Sequence, residues 1–144
     1  STANVPAAQT SSTAFSPRAA SSRARTPRYH SPPNVQPLPA TRKALDRAGL
    51  TLNDVGLFEL NEPFAVQVLS WCDGLGVDPE DERLNPYGGA IACGHPLAAT
   101  GVRLLAQLAY GFRERPQVRY GLTALCVGMG MGATLIWENL AAGH

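Results

Sequence analysis

The first 40 residues contain no aspartate, glutamate, isoleucine or methionine, and Leu38 is their only leucine. They hold instead seven of the 12 prolines, seven serines and four arginines. A segment of this composition cannot bury enough apolar surface to offset its conformational entropy. We therefore predict a disordered basic tail over residues 1–37. A transit peptide is the alternative, because it is also rich in Ser and Arg and poor in acids, but the segment has no amphipathic apolar stripe.

Other absences exclude further classes of protein. Tyr29 and Phe15 are the only aromatic residues in the segment that holds the four arginines, so the tail offers no stacking platform for nucleic acid. No apolar run approaches the roughly 20 residues of a membrane-spanning helix. The three cysteines are an odd number without a CxxC pair, which is typical of a reducing compartment. We expect a cytoplasmic protein that binds neither nucleic acid nor membrane.

Several catalytic and cofactor motifs are also missing. There is no GxSxG motif of a serine hydrolase. The GMGMG stretch at 128–132 precedes a strand-like run, whereas a dinucleotide fingerprint must open a helix. Cys93 and His95 are too close together to match a known zinc spacing, so we expect no metal.

What remains, residues 38–144, is mildly acidic, since the chain carries +1 overall and the first 40 residues carry +4. Apolar runs of strand length alternate with stretches of helical spacing, which predicts an α/β domain with a mixed sheet. The last two strands follow each other directly, so they form an antiparallel edge. The predicted helices are Thr41–Ala48, a stretch from Phe64 to Cys72, and one after His95 to about Glu114; the strands are Val55–Leu60, Tyr120–Val127 and Ala133–Trp137.

The stretch NPYGGAIACGHPLAATG, residues 85–101, is where we expect the chemistry to be organised. Gly88 and Gly89 allow unusual backbone angles and the close approach of another segment. Pro96 fits the first turn of a helix, so His95 lies at the mouth of that helix. The partial positive charge of a helix N-terminus disfavours imidazolium, and a neutral imidazole is the form that a general base requires.

Three other residues are candidates, and each has a simpler interpretation. Asn61 ends a predicted strand, where α/β sheets place their sites, but it could equally cap the next helix with Glu62 in the first turn. Cys126 ends a strand at a glycine turn, and Gly128 offers a bare N–H as an oxyanion donor. A free cysteine is more commonly a buried apolar residue, and a lone histidine is more commonly structural. We assign Cys72 and Cys93 to packing.

Together these residues indicate more than they do singly. NEPF at 61–64, GGAIACGHPLAATG at 88–101 and CVGMGMG at 126–132 resemble, in order and spacing, the C-terminal half of thiolases. Thiolases are acyltransferases that cleave or form 3-ketoacyl-CoA. The lead-in PATRKALDRAGLTLNDVGLFELNEPFA is similar to that family as well, so the resemblance extends from about Leu38 to Leu140.

The resemblance implies a role for each candidate. The histidine at position 95 would activate a nucleophilic cysteine and share an oxyanion hole, and Cys126 would move protons to and from the acetyl α-carbon or the leaving thiol. Asn61 would hold a water of the first oxyanion hole, the N–H of Gly128 would serve the second, and Phe64 would contact substrate. The resemblance further implies coenzyme A thioesters as substrates without another cofactor, a place in fatty acid metabolism and β-oxidation, and a homo-oligomer.

The sequence departs from the family at Pro63, where alanine is usual, at Ala98, where glycine is usual, and at Cys93, where an aliphatic residue is usual. Nothing before Leu38 resembles the N-terminal domain that carries the nucleophilic cysteine, and the tail stands where the first strand of the C-terminal domain is expected. Two hypotheses follow. The chain is a thiolase half that needs a complementing N-terminal half, or it is a non-catalytic remnant that binds coenzyme A or pairs with a complete thiolase.

Overall fold

A computed structural model describes residues 36–143 of the chain. The helices are α1 Leu38–Ala48, α2 Ala65–Leu75, α3 Ala90–Cys93 and α4 Leu97–Glu114, and a 3₁₀ turn covers Leu52–Asp54. The strands are β1 Val55–Leu60, β2 Tyr120–Gly128 and β3 Met131–Glu138. Apart from Gln36 and Pro37, which form a turn before α1, the tail predicted for residues 1–37 lies outside the described residues.

The three strands form one mixed sheet in the order β1-β2-β3. β1 runs parallel to β2, with Leu60 opposite Ala124, and the connection between them contains α2, α3 and α4. β2 and β3 are antiparallel and joined by a tight turn in which Gly128, Met129 and Gly130 all have positive φ. The α/β class with a mixed sheet and an antiparallel edge is therefore confirmed. Within residues 36–143, no strand precedes β1.

One face of the sheet packs against α1 and α2. The ring of Phe58 meets Trp71 edge-on at 5.7 Å between centroids, and both residues are buried together with Leu122. The indole N–H of Trp71 donates to Thr41 Oγ1 at 3.0 Å, so the large aromatic side chain is buried without an unpaired donor. This contact fixes the packing of α2 against α1.

The other face is covered by α4. Leu104 and Leu108 of this helix are buried, as the 3.6-residue spacing predicts. Gly111 brings the helix close to β1, because a Cβ at that position would lie 2.8 Å from Leu57. Since both faces of β1 are covered, its nearly continuous apolar sequence is explained.

Two helix starts differ from the prediction. α1 begins at Leu38 rather than Thr41, because Pro39 is favourable in a first turn. α4 begins at Leu97, with Pro96 in the capping position just before it. In the part of the chain that the structure describes, no helix combines the length and hydropathy that a membrane span requires.

Candidate functional site

Asn61 lies directly after β1, at the carboxyl end of the sheet. Its backbone N–H donates to Ala124 O of β2 at 2.8 Å, which extends the parallel pairing by one residue. The predicted role as a helix cap is wrong, since α2 begins at Ala65 after Phe64 and has no side-chain cap. The buried Asn61 side chain instead faces His95, with 3.4 Å between Asn61 Nδ2 and His95 Nε2.

Two side chains, Asn61 and Thr100, contact the ring nitrogens of His95. The Thr100 hydroxyl donates to Pro96 O at 3.2 Å, and the Thr100 Oγ1 atom also lies 2.7 Å from His95 Nδ1. With the single hydroxyl proton assigned to the Pro96 carbonyl, Nδ1 is the donor to Thr100. Nε2 then carries the lone pair and accepts from Asn61. In this assigned arrangement the imidazole lone pair is at Nε2, where general-base chemistry uses it.

Thr100 was not among the residues that the sequence singled out, although its position carries a signal. It lies four residues after Pro96, one helical turn into α4, and is almost completely buried. A hydroxyl on the first turn of a helix can accept from a group just before that helix. The spacing from His95 therefore makes Thr100 the residue that orients the imidazole.

Asn61 also leaves one polar atom without a protein partner. Asn61 Oδ1 is buried and accepts no hydrogen bond from any residue in the range 36–143. Buried polar atoms are normally paired with protein or ordered water. An acceptor next to His95 Nε2 is thus available to hold a water or a polar group of a ligand.

Cys126 and Gly128 lie at the end of β2, beyond the point where Asn61 pairs with Ala124. Cys126 is a half-buried free thiol, paired across the hairpin with Gly132. Within residues 36–143 it forms no hydrogen bond to Asn61 or His95. Gly128 is exposed and has a φ of 96°, a backbone angle that favours glycine. The structure thus brings Asn61 and His95 into contact and places the Cys126 thiol on the adjacent strand.

Phe64 precedes α2 and is 67% exposed. Its ring is therefore free to contact a ligand, and its role in substrate binding stays a prediction.

The other two cysteines differ from each other. Cys72 is fully buried in the core, and this burial, with Asp78 and Asp81 adding to it, raises the pKa of the thiol to about 11. Its assignment to packing is confirmed. Cys93 is exposed at the end of α3, so its assignment to packing is wrong. A single helical turn packs only one side, and here the buried residue is Ala90.

β1 also carries a buried acid that is not among the predicted site residues. Glu59 is completely buried, and neither carboxyl oxygen has a hydrogen-bond partner within residues 36–143. Burial raises its pKa from 4.5 to about 7, while the positive charge of Arg103 opposes the shift and the charge of Glu62 adds to it. Nε and Nη2 of Arg103 on α4 are likewise buried and unpaired.

The described residues contain no group of three or more His, Cys, Asp or Glu side chains that could hold a metal ion.

Comparison with known proteins gives consistent matches. The family model described as the thiolase C-terminal domain matches residues 18–139. A 3-ketoacyl-CoA thiolase of Yersinia enterocolitica is 48% identical over 105 residues, covering 72% of this chain and 27% of the relative. An acetyl-CoA acetyltransferase of Syntrophomonas wolfei is 47% identical over 104 residues, covering 72% of this chain and 26% of the relative.

A 3-ketoacyl-CoA thiolase of Escherichia coli is 43% identical over 105 residues, again covering 72% of this chain and 27% of the relative. The chain therefore spans about a quarter of the length of the curated relatives that it matches.

Proposed function

Because this chain belongs to the thiolase family through that family's C-terminal domain, we propose that it is the base-bearing half of a thiolase-type acyltransferase. Its substrates would be 3-ketoacyl-CoA and coenzyme A in the degradative direction, or two acetyl-CoA molecules in condensation. The names of the relatives, 3-ketoacyl-CoA thiolase and acetyl-CoA acetyltransferase, support this substrate class. The proposal includes a cytoplasmic location and a role in fatty acid metabolism.

The observation that carries the proposal is the arrangement at His95. Its Nδ1 lies 2.7 Å from Thr100 Oγ1, and its Nε2 lies 3.4 Å from Asn61 Nδ2. Thioester exchange needs a base that keeps a thiol deprotonated, and donors for the oxyanions that form at the carbonyl carbons. An imidazole beside an amide, at the carboxyl end of a parallel strand pair, is suited to both tasks, because Nε2 becomes an N–H donor once it has taken the thiol proton.

In the thiolysis direction, a nucleophilic thiolate attacks the 3-keto carbon and the bond between Cα and Cβ breaks. The proton of the nucleophilic thiol has passed to His95 Nε2, and this N–H and a water held by Asn61 stabilise the enolate that forms when the electron pair passes to the α-carbon. Cys126 then donates its proton to the α-carbon, which releases acetyl-CoA. Incoming coenzyme A gives its proton to the Cys126 thiolate and attacks the acyl-enzyme thioester, with the N–H of Gly128 stabilising that oxyanion.

The nucleophilic thiolate would come from a second polypeptide segment. Cys72 is excluded by its burial and its raised pKa. Cys126 is assigned to proton transfer, and Cys93 ends α3, two residues before His95, in a context that does not resemble the family's nucleophile. We therefore propose a requirement for a thiolase N-terminal half, either fused to this chain or supplied as a partner.

The alternative is a non-catalytic module that binds coenzyme A or pairs with a complete thiolase. The exposed apolar residues Leu97, Val102 and Val127 around the site favour association with another domain under either proposal.

A complementation assay separates the two. Thiolysis of acetoacetyl-CoA is measured with the purified chain alone and with an added N-terminal half of a related thiolase. We expect no turnover alone and measurable turnover in the mixture. Coenzyme A binding without turnover in any mixture would support the module and overturn the enzyme proposal. Turnover by the chain alone would refute the requirement for a second half.

A further inference from the structure

The carboxylate of Glu62, the residue after Asn61, joins the end of β1 to the loop that leads to His95. Glu62 Oε1 accepts from Asn85 Nδ2 at 2.6 Å, and Oε2 accepts from the backbone N–H of Ile91 at 3.1 Å. The sequence had placed Glu62 in the first turn of α2, and the structure places it before that helix. One side chain thus holds both the start and the middle of the loop.

Asn85 cannot turn away from this contact without losing others. Its Oδ1 accepts from Leu60 N–H at 2.7 Å, and its Nδ2 donates to Leu60 O at 3.0 Å as well as to Glu62. The side chain therefore pairs with β1 in the way that a neighbouring strand would. Asn85 has a φ of 45°, a left-handed backbone that asparagine tolerates better than most residues.

Gly89 leaves the space that Glu62 occupies. A Cβ built on Gly89 would overlap the carboxyl group of Glu62. Its φ of −104° is accessible to any residue, so the backbone angle does not require glycine here. The requirement comes from the neighbouring carboxylate instead, and the two positions depend on each other.

A second set of contacts holds the opposite side of the loop. Gly88 O accepts from Gln107 Nε2 at 2.9 Å and from Arg103 Nη1 at 3.4 Å, both on α4. The loop therefore lies between β1 and α4, and it keeps the α4 contacts when Glu62 is removed. For this reason a Glu62 variant is expected to fold.

We propose that Glu62 is a positioning residue for His95: its carboxylate holds loop 85–94 against the end of β1 and so sets the imidazole against Asn61. The loop ends directly before His95, and Asn61 is adjacent to Glu62 in the chain. Residues 61 and 62 therefore contact the imidazole and the loop that carries it, respectively. The importance of this position for catalysis depends on the proposed function, whereas the positioning itself does not.

The test uses the full chain and compares Glu62→Ala, Glu62→Gln, Gly89→Ala and the double variant Glu62→Ala/Gly89→Ala. Glu80→Ala is the matched control, because Glu80 is an exposed acid whose carboxylate has no role in the site. The readouts are the His95 ring resonances in NMR spectra at fixed pH, amide hydrogen exchange at Ile91, and the melting temperature.

In Glu62→Ala we expect shifted and broadened His95 resonances, and exchange at Ile91 faster by about tenfold or more, as loss of a charge-assisted hydrogen bond implies. Glu62→Gln should give intermediate values of both readouts. Its amide oxygen can accept only one of the two hydrogen bonds, and its NH₂ group then faces the donor of the other, either Asn85 or Ile91. Glu80→Ala should leave both readouts unchanged. His95 resonances in Glu62→Ala that match those of the Glu80→Ala control would overturn the proposal.

The double variant tests the contact between Glu62 and Gly89 directly. Gly89→Ala should lower the melting temperature and displace the His95 resonances when Glu62 is present. The same change should have little further effect in the Glu62→Ala background, because the overlapping carboxyl group is gone. Equal effects of Gly89→Ala in both backgrounds would contradict the contact. None of these readouts needs turnover, so a failure of the proposed function and a failure of the positioning role are distinguishable.

Discussion

The most quantitative prediction concerns Glu59, a carboxyl group buried between β1 and α4 without a hydrogen-bond partner among the described residues. Burial raises its pKa from 4.5 to about 7. The folded chain therefore binds this proton more tightly than the unfolded chain. The resulting contribution to stability is fully present below about pH 4.5 and is lost as the pH rises to about 7.

The size of the effect follows from the two pKa values. A shift of this size corresponds to about 3 kcal/mol in total, most of which is lost between pH 5 and pH 8. The carboxyl groups of Asp54 and Asp81 have lowered pKa values, because of hydrogen bonds from Thr51 and Arg83 respectively. Their contributions change at acidic pH, below this window, and do not interfere.

The assay is urea denaturation of the wild-type chain, Glu59→Gln and the exposed control Glu80→Gln at several pH values from 5 to 8. We expect the free energy of unfolding of wild type and Glu80→Gln to fall with pH by about 2 to 3 kcal/mol more than that of Glu59→Gln. Wild type and Glu59→Gln share every titrating group except Glu59, and Glu80→Gln controls for the loss of an exposed carboxyl group, so the difference isolates Glu59. An equal slope in Glu59→Gln would refute the buried, protonatable carboxyl.

Three further predictions follow from the site and the sheet. Thr100→Val should lower kcat of the complemented enzyme by about tenfold or more while changing KM little, because the partner of His95 Nδ1 is lost. An unchanged kcat would show that Thr100 has no role in catalysis. Alkylation with iodoacetamide at pH 8, followed by mass spectrometry, should label exposed Cys93 and spare Cys72, whose burial raises its pKa; rapid labelling of Cys72 in the folded chain would contradict the core packing. The outer edge of β3 has no paired strand among residues 36–143, so sedimentation velocity should detect concentration-dependent association, and a strictly monomeric chain at high concentration would argue against it.

The strands could be predicted because glycine and proline residues near the apolar runs indicate where a strand begins and ends. β1 has the predicted bounds, and β2 and β3 extend the predicted ones by one or two residues. Gly49, which was expected to close the first helix, adopts the left-handed conformation there. These features depend on local sequence, so they can be predicted from one sequence alone.

The interpretation of Asn61 as a helix cap failed for a local reason. Glu62 precedes Pro63, and a residue before proline is driven out of the helical region, so no helix could begin at Glu62. Phe64 is also extended, and α2 starts only at Ala65. The proline was therefore a signal that Asn61 was free for another contact.

Long-range contacts could not be predicted. Nothing in the sequence near Gly89 indicates that Glu62 lies against it, and the pairing of Asn85 with Leu60 spans 25 positions. The sequence analysis treats Val55–Leu60 as an apolar run, and Glu59 lies within it. An acid in a strand that is covered on both faces must nevertheless be buried, and that signal was available.

The most direct test of the central claim is a double-mutant cycle on kcat in the complemented enzyme, with Asn61→Ala, His95→Ala and both together. General-base steps contribute about 10²- to 10⁴-fold, so His95→Ala should cost at least that order. If the imidazole and the amide act as one unit, as their 3.4 Å contact implies, the double variant should lose little more than His95→Ala alone. Losses that multiply across the two positions, or a loss below tenfold for His95→Ala, would contradict the account.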